Sequence, residues 1–322
     1  MEKQNRRGDS AFIQQSLSII NLKGNDALDF LHRMSTNNVL DLELKKHRTT
    51  ILTTEKGRMI DIVDVLRMDN SILLIGSAKN GDALMDWLGR YIIMEDIVVR
   101  DCSPDYTVFT LFGEKVRKTV NTLAGKEFSG DDESVVQTIF NGTHATLYSP
   151  GLWQGRLFHL LISRDNDKKI SPDVSSYLSG VFHPAPSEQF EIFRIESGVP
   201  GLGREITPER NPLEIGLQAF ISFTKGCYIG QEVISRLETY KKVQKQMVGV
   251  IIGQHNPEDN YNGELFVNGT SVGNTTSFCY SESLQSVIAL GLLDTSVSSK
   301  TAELQCSGRP RITVSFCTLP FV

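Results

Sequence analysis

The stretch Lys225-Gly226-Cys227-Tyr228-Ile229-Gly230-Gln231-Glu232 sets a single cysteine between a lysine and two glycines, at the mouth of an amphipathic run. Gly226 and Gly230 carry no Cβ, so the backbone there can turn tightly and approach a ligand closely. Lys225 and the start of a helix would each favour a thiolate at Cys227. Gln231 and Glu232 fall in the first helical turn, where a carboxylate is electrostatically welcome. The plain alternative is a buried cysteine in a glycine-rich turn.

Outward from this stretch the pattern predicts a helix on one side and a loop on the other. Downstream, Val233, Leu237 and Tyr240 approximate an apolar face, and Glu232 can pair with Arg236 one turn on. Upstream, Leu213, Leu217 and Phe220 have the spacing of a short helix, which Gly216 weakens. Residues 200–212 are rich in Gly and Pro and read as lining a site rather than packing a core. Beyond Lys245 short β-rich runs alternate with Gly, Asn and Asp turns over about 75 residues, the pattern of a small barrel. A domain boundary near 244 follows, giving residues 1–243 and 244–322.

The first of these regions reads as a duplicated α+β module. Residues 16–22 predict a strand, Gly24 ends it, and Ala27, Phe30, Leu31 and Met34 form a helical stripe. Residues 106–112 predict a second strand, Gly113 a second break, and Val116, Val120 and Leu123 a second stripe. Gly24 aligns with Gly113, Ala27 with Val116, Leu31 with Val120 and Met34 with Leu123 at one offset. The split between the two modules falls near residue 104. Residues 80–92 predict a further helix with Leu84, Trp87, Leu88 and Tyr91 on one face, and 164–172 a polar loop.

Composition narrows the classes of function. The chain has 322 residues, 40% hydrophobic and 22% charged, which is ordinary for a globular protein of two or three domains. A net charge of −5 argues against a dedicated nucleic-acid binder. No apolar run is long enough to cross a bilayer, and the polar first ten residues lack a secretory h-region, so a cytoplasmic location is expected. The five cysteines, Cys102, Cys227, Cys279, Cys306 and Cys317, form no C-x-x-C pair, and the six histidines have no metal-pair spacing. A metal at Cys227 would need ligands from elsewhere.

The octapeptide resembles the signature of the YgfZ-type proteins, folate-binding relatives of the glycine-cleavage T-protein that help to mature iron–sulfur proteins. The resemblance extends to Gly24-Asn25-Asp26-Ala27, to Arg194-Ile195-Glu196-Ser197-Gly198 and Asn211-Pro212-Leu213-Glu214. It continues through Gly273-Asn274-Thr275-Thr276-Ser277, Ser281 and Ile288-Ala289-Leu290, so it spans essentially the whole chain. It implies two interleaved ferredoxin-like α+β domains and a C-terminal β-barrel, with a tetrahydrofolate in a central opening. It makes Glu196 the match to the pterin-binding glutamate, a group able to accept parallel hydrogen bonds from an amino group and a ring nitrogen. The T-protein's G-G-x-x-D-D segment corresponds to Gly57-Arg58-Met59-Ile60-Asp61-Ile62, where only the acid Asp61 remains.

Two functions follow as expectations, beside a third reading as a structural adaptor whose folate site is vestigial. In the first, a tetrahydrofolate-binding accessory protein assembles or repairs iron–sulfur clusters, with Cys227 as reactive thiolate or cluster ligand and Lys225 serving that thiolate. Gly226, Tyr228, Gly230, Gln231, Glu232 and Arg236 would shape the folate site beside Glu196. Iron–sulfur carriers, scaffolds and client enzymes would be its partners, and a transient cluster its cargo. In the second, a folate-dependent aminomethyl or methyl transferase would use Asp61 and Glu196.

Overall fold

Gly24 and Gly113 each turn a strand into a helix, and the two corners are built alike. Gly24 has φ +134° and Gly113 φ +126°, values that L side chains rarely adopt. At each corner the glycine carbonyl accepts the backbone N–H three residues on, from Ala27 at 3.4 Å and Val116 at 3.3 Å. In the computed structural model described here, residues 10–129, 132–140, 143–164, 173–253, 256, 259–306 and 310–322 are described. The predicted loop at 164–172 therefore lies outside them except for Arg164, as does the N-terminal stretch before Ser10.

The chain forms two compact units. The first takes the described residues of Met1–Leu52, Asp61–Ser187 and Thr224–Tyr228. Its elements are β1 (Ala11–Gln15), β2 (Leu17–Lys23), α1 (Ala27–Met34), β3 (Lys46–Thr53) up to Leu52, β4 (Met59–Arg67) from Asp61, β5 (Ile72–Ala78), α2 (Gly81–Gly89) and β6 (Val98–Asp101). There follow β7 (Tyr106–Phe112), α3 (Val116–Ala124), β8 (Val136–Phe140), β9 (Thr143–Tyr148), β10 (Leu157–Ser163), α4 (Asp173–Ser179) and β11 (His183–Pro184). They make a five-stranded sheet ordered β3-β4-β5-β2-β6 and a six-stranded sheet ordered β11-β1-β7-β10-β9-β8. One extended segment, broken only at Ser16, supplies β1 to one sheet and β2 to the other, which interlocks the two modules.

Strand periodicity explains how the sheets are covered. Successive side chains face opposite ways, so Phe109 and Leu111 of β7 pack with Phe158 and Leu160 of β10 against Val116 and Val120 of α3. The alternate positions, Val108 and Leu161, join Tyr148 in meeting Ile19, Leu66, Leu73 and Ile75 of the other sheet. That face also carries two buried polar pairs. His159 shares a 3.0 Å hydrogen bond with Thr110, and the Tyr148 hydroxyl donates to Asp64 at 3.2 Å. Burial pulls His159 down to about 3, so its imidazole is neutral at ordinary pH.

The second unit takes Thr53–Ile60, Glu188–Phe223 and the described residues of Ile229–Val322. It holds α5 (Ser187–Glu196) from its second residue and α6 (Gln231–Thr239). The strands β12 (Lys245–Gly253), β13 (Gly263–Val267), β14 (Thr270–Ser281), β15 (Ser286–Asp294), β16 (Thr301–Cys306) and β17 (Ile312–Cys317) close into a barrel in the order β12-β15-β14-β13-β16-β17. Val250, Leu265, Val287, Ala289, Leu304 and Val314 fill its interior. The neighbouring positions Ile288 and Leu290 point out of it and pack on Ile195 of α5, with Leu319 and Phe321 of the chain's last segment. The α+β class and the terminal barrel expected from sequence are both present.

Two helices expected from spacing come out differently. The run at 213–220 forms two 3-10 turns, Pro212–Ile215 and Gln218–Phe220. Asn211 and Glu214 close a capping box at the first turn, and Gly216 at φ +75° ends it after one turn. The helix expected over 80–92 stops at Gly89, with Tyr91 beyond it against Trp87 at 5.4 Å. Among the described residues no helix is long and apolar enough to cross a membrane.

The Gly24 corner admits no side chain, because a Cβ there would stand 1.8 Å from the Asp96 carbonyl oxygen. Gly125, also left-handed at φ +62°, has nothing within 4 Å of such a Cβ. Gly24→Ala should therefore lower unfolding stability by about 3 kcal/mol or more, against about 1 kcal/mol for Gly125→Ala. Urea midpoints measure both, and equal losses would contradict this account of the corner.

Candidate functional site

Arg194, near the end of α5, is 6% exposed and carries five N–H donors, all of which are used. Nε and one Nη donate to the two Glu191 carboxylate oxygens at 2.8 and 2.6 Å. The same Nη reaches the Ser277 hydroxyl at 2.9 Å. The other Nη donates to the Val199 carbonyl at 2.5 Å and to Glu205 at 3.1 Å. Glu205 is 0% exposed and is also saturated. It accepts from the hydroxyls of Thr276 (2.5 Å) and Ser277 (2.7 Å) and from the Gly201 amide (2.9 Å). Burial opposes charge at Arg194, but Glu191 and Glu205 outweigh it and hold the guanidinium above its usual value. These bonds tie α5 and the segment after it to β14 of the barrel.

Residues 200–212 are mixed: Glu205, Ile206, Asn211 and Pro212 are buried, while Leu202, Gly203, Arg204, Pro208 and Glu209 are exposed. Glu205 is the residue that sequence reasoning missed. A lone acid in a Gly- and Pro-rich run carries no local sign that it faces an arginine eleven positions away.

Two residues past Arg194, Glu196 is half-buried and held from one side. Its Oε1 accepts from Ser281 at 2.6 Å and Ser283 at 2.9 Å, while Oε2 has no hydrogen-bond partner among the described residues. Two hydroxyls fill the two lone pairs of Oε1, so Oε2 is the open acceptor. Beneath it, Cys279 has its thiol pushed up to about 12, by burial first and then by the charges of Glu196 and Glu191. That thiol is inert at neutral pH.

The octapeptide divides between the units. Thr224–Tyr228 belongs to the first and Ile229 onward to the second. Cys227 is exposed, whereas Cys102 and Cys306 are buried and Cys279 and Cys317 half-buried. It does not sit in the first turn of α6, since the N-cap is Gly230, three residues later. Nor does Lys225 stand free beside it. The Lys225 ammonium donates to the carbonyls of His32, of Ser35 at 2.6 Å and of Asn37 at 2.8 Å, and lies 5.2 Å from the Tyr228 ring centre. Burial pulls the ammonium down to about 7, and the three carbonyls oppose that shift by favouring the charged form. Tyr228 is 7% exposed, its hydroxyl is buried without a hydrogen-bond partner among the described residues, and burial pushes it up to about 12.

The remaining predicted residues play local parts. Gly230 has φ +86°, and a Cβ on it would stand 2.6 Å from the Thr54 carbonyl oxygen and 2.8 Å from the Thr53 hydroxyl. The need for glycine there comes from the β3–β4 turn, to which Ile229 is also bonded through Thr53 at 2.7 Å. Gly226 is exposed with open space beside it. Gln231 is half-buried, and Glu232 and Arg236 are exposed with no ion pair between them among the described residues, so the predicted pairing is not made.

Asp61 is 0% exposed. It accepts from the Ser77 hydroxyl (2.6 Å), the Ser77 amide (2.9 Å), the Asn80 side chain (2.9 Å) and the Ile62 amide (2.9 Å). Gly76 leaves it room, since a Cβ there would lie 2.9 Å from its carboxylate. Burial pushes the Asp61 carboxyl up against those four bonds. Elsewhere, a shallow groove of about 580 Å³ on the barrel is lined by Asn262, Glu264, Asn274 and Gln305 and contains none of the predicted site residues.

Comparison with known proteins places this architecture. Residues 3–148 match the GCVT N-terminal domain, and residues 245–322 match the glycine cleavage T-protein C-terminal barrel domain. The chain belongs to the T-protein (aminomethyltransferase) superfamily. It is 30% identical over 261 residues to a chloroplastic protein of Arabidopsis thaliana named as a transferase, a match covering 80% of this chain but only 59% of that protein. It is 25% identical to an aminomethyltransferase of Aquifex aeolicus over 87% of this chain and 75% of that one. The crystal structure of the glycine cleavage system aminomethyltransferase T from Bartonella henselae superposes with a TM-score of 0.81 at 18% identity, covering 98% of this chain and 87% of that one.

The Arg194–Glu205 tie makes a quantitative demand. Arg194→Met would leave Glu205 buried without its cation, and the expected loss is about 3–5 kcal/mol. Adding Glu205→Gln to Arg194→Met should recover part of it. A urea-unfolding loss below about 1 kcal/mol for Arg194→Met would contradict the assignment.

Proposed function

We propose that this protein binds a tetrahydrofolate through Glu196 and serves the assembly or repair of iron–sulfur clusters through Cys227. The observation that carries the reading is the contrast among the cysteines and acids. Cys227 is the exposed thiol, while Asp61, the acid left from the T-protein's paired segment, is sealed from solvent and fully bonded.

The folate part rests on Glu196. A carboxylate fixed by two serine hydroxyls, with one oxygen open, is a preorganised acceptor for the amino group and ring N–H of a pterin. Both donors would converge on Oε2, or one would displace the exposed Ser283 hydroxyl from Oε1. Family membership supports the same ligand, since named relatives are aminomethyltransferases.

The cluster part rests on Cys227. An accessible thiolate is a soft ligand for iron. A cluster takes four such ligands, so an iron–sulfur carrier, a scaffold or a client enzyme would supply the others, with the cluster as cargo. A second reading, folate-dependent aminomethyl or methyl transfer, is favoured by the names of the relatives. Against it stands the burial of Asp61, which leaves that carboxylate with no access to a substrate amine.

Cys227→Ser separates the two. Cells depending on this variant should lose iron–sulfur enzyme activity while the purified variant still binds tetrahydrofolate. Full cluster-enzyme activity, together with tetrahydrofolate-dependent aminomethyl transfer by the pure protein, would replace the proposal with the second reading.

A further inference from the structure

The five residues Thr224–Tyr228 pack with the first unit, while Phe223 before them and Ile229 after them group with the second. Two side chains hold this short segment. Tyr228 buries its ring, and Lys225 sends its ammonium to the carbonyls of His32, Ser35 and Asn37. Between these anchors Gly226 and Cys227 are exposed.

We infer that Lys225 is a positioning residue, a latch that fixes the Cys227 loop to the end of α1, and that its charge serves one carbonyl of the last helical turn and two of the segment just beyond it rather than the thiol. Helix ends leave their last carbonyls without intrahelical partners. At α1 the Leu31 carbonyl takes the Ser35 hydroxyl at 2.8 Å, and the His32 carbonyl takes Lys225. An ammonium has three N–H donors, and three carbonyls use them all. No donor remains for a thiolate. The C-terminal end of a helix also carries roughly −0.5 charge, which offsets much of the field that Lys225 would project onto its neighbours. The segment the latch stabilises includes the Thr36 amide, bonded to the Ile51 carbonyl at 3.0 Å, and the Asn37 amide, bonded to the Thr50 hydroxyl at 2.8 Å.

The inference gives the thiol of the proposed function its fixed position, yet its test needs no client enzyme. Purified protein is alkylated with iodoacetamide across a pH series, and modification at Cys227 alone is read by mass spectrometry. Amide exchange at Thr36 and Asn37 is followed in parallel. In Lys225→Met the midpoint of the Cys227 profile should stay where it is in the native protein, while the two amides exchange about tenfold faster or more. A midpoint raised by about one pH unit would make Lys225 a thiolate activator, and unchanged amides would remove the latch. Either result overturns the inference. Should Lys225→Met fail to fold, the native protein still decides. Its Cys227 midpoint should not move between about 0.05 and about 0.5 M salt, whereas a neighbouring free cation would be screened and the midpoint would rise. Failure here, with a Cys227→Ser defect still present in cells, would remove the latch and leave the proposed function standing.

Discussion

The second unit depends on one buried ion pair. Arg194 and Glu205 lie out of water, and two such charges are tolerated only when every remaining donor and acceptor is satisfied. Here all five arginine N–H groups have partners, and both glutamate oxygens are filled by hydroxyls, an amide and the guanidinium. The net gain in stability from such a pair is modest against a hydrophobic substitute. What it adds is position. The bonds to Ser277 and Thr276 fix α5 on β14, and Glu196, two residues on, comes to Ser281 on the same strand.

The two candidate groups are prepared by opposite means. Glu196 is preorganised by direct bonds to its own carboxylate, which leave a single open oxygen. Among the described residues Cys227 receives no hydrogen bond of its own, and it is set in place by its neighbours, Lys225 and Tyr228. This arrangement suits a fixed ligand contact at the glutamate and an exchangeable one at the thiol, as the proposed function requires of them.

Much of the fold was legible because local chemistry repeats. The strand–glycine–helix corners at Gly24 and Gly113 showed as aligned stripes, and the structure gives both glycines nearly the same unusual φ. The barrel was legible from short β-rich runs between turn residues. What sequence could not show was distance along the chain. The Leu213–Phe220 spacing suggested one helix, but a capping box and a left-handed Gly216 divide it into two turns. Lys225 looked like an activator of its neighbour Cys227, yet its partners are some 190 positions away. Glu205 gave no sign at all, since its meaning lies in Arg194 and in two barrel hydroxyls far down the chain.

Calorimetric titration of tetrahydrofolate into the native protein and into Glu196→Gln tests the proposed contact between folate and the Glu196 carboxylate. The native protein should bind, and Glu196→Gln, which keeps the size but loses the charged acceptor, should bind at least about tenfold more weakly. Equal affinity in the two proteins, or no binding by the native one, would contradict it.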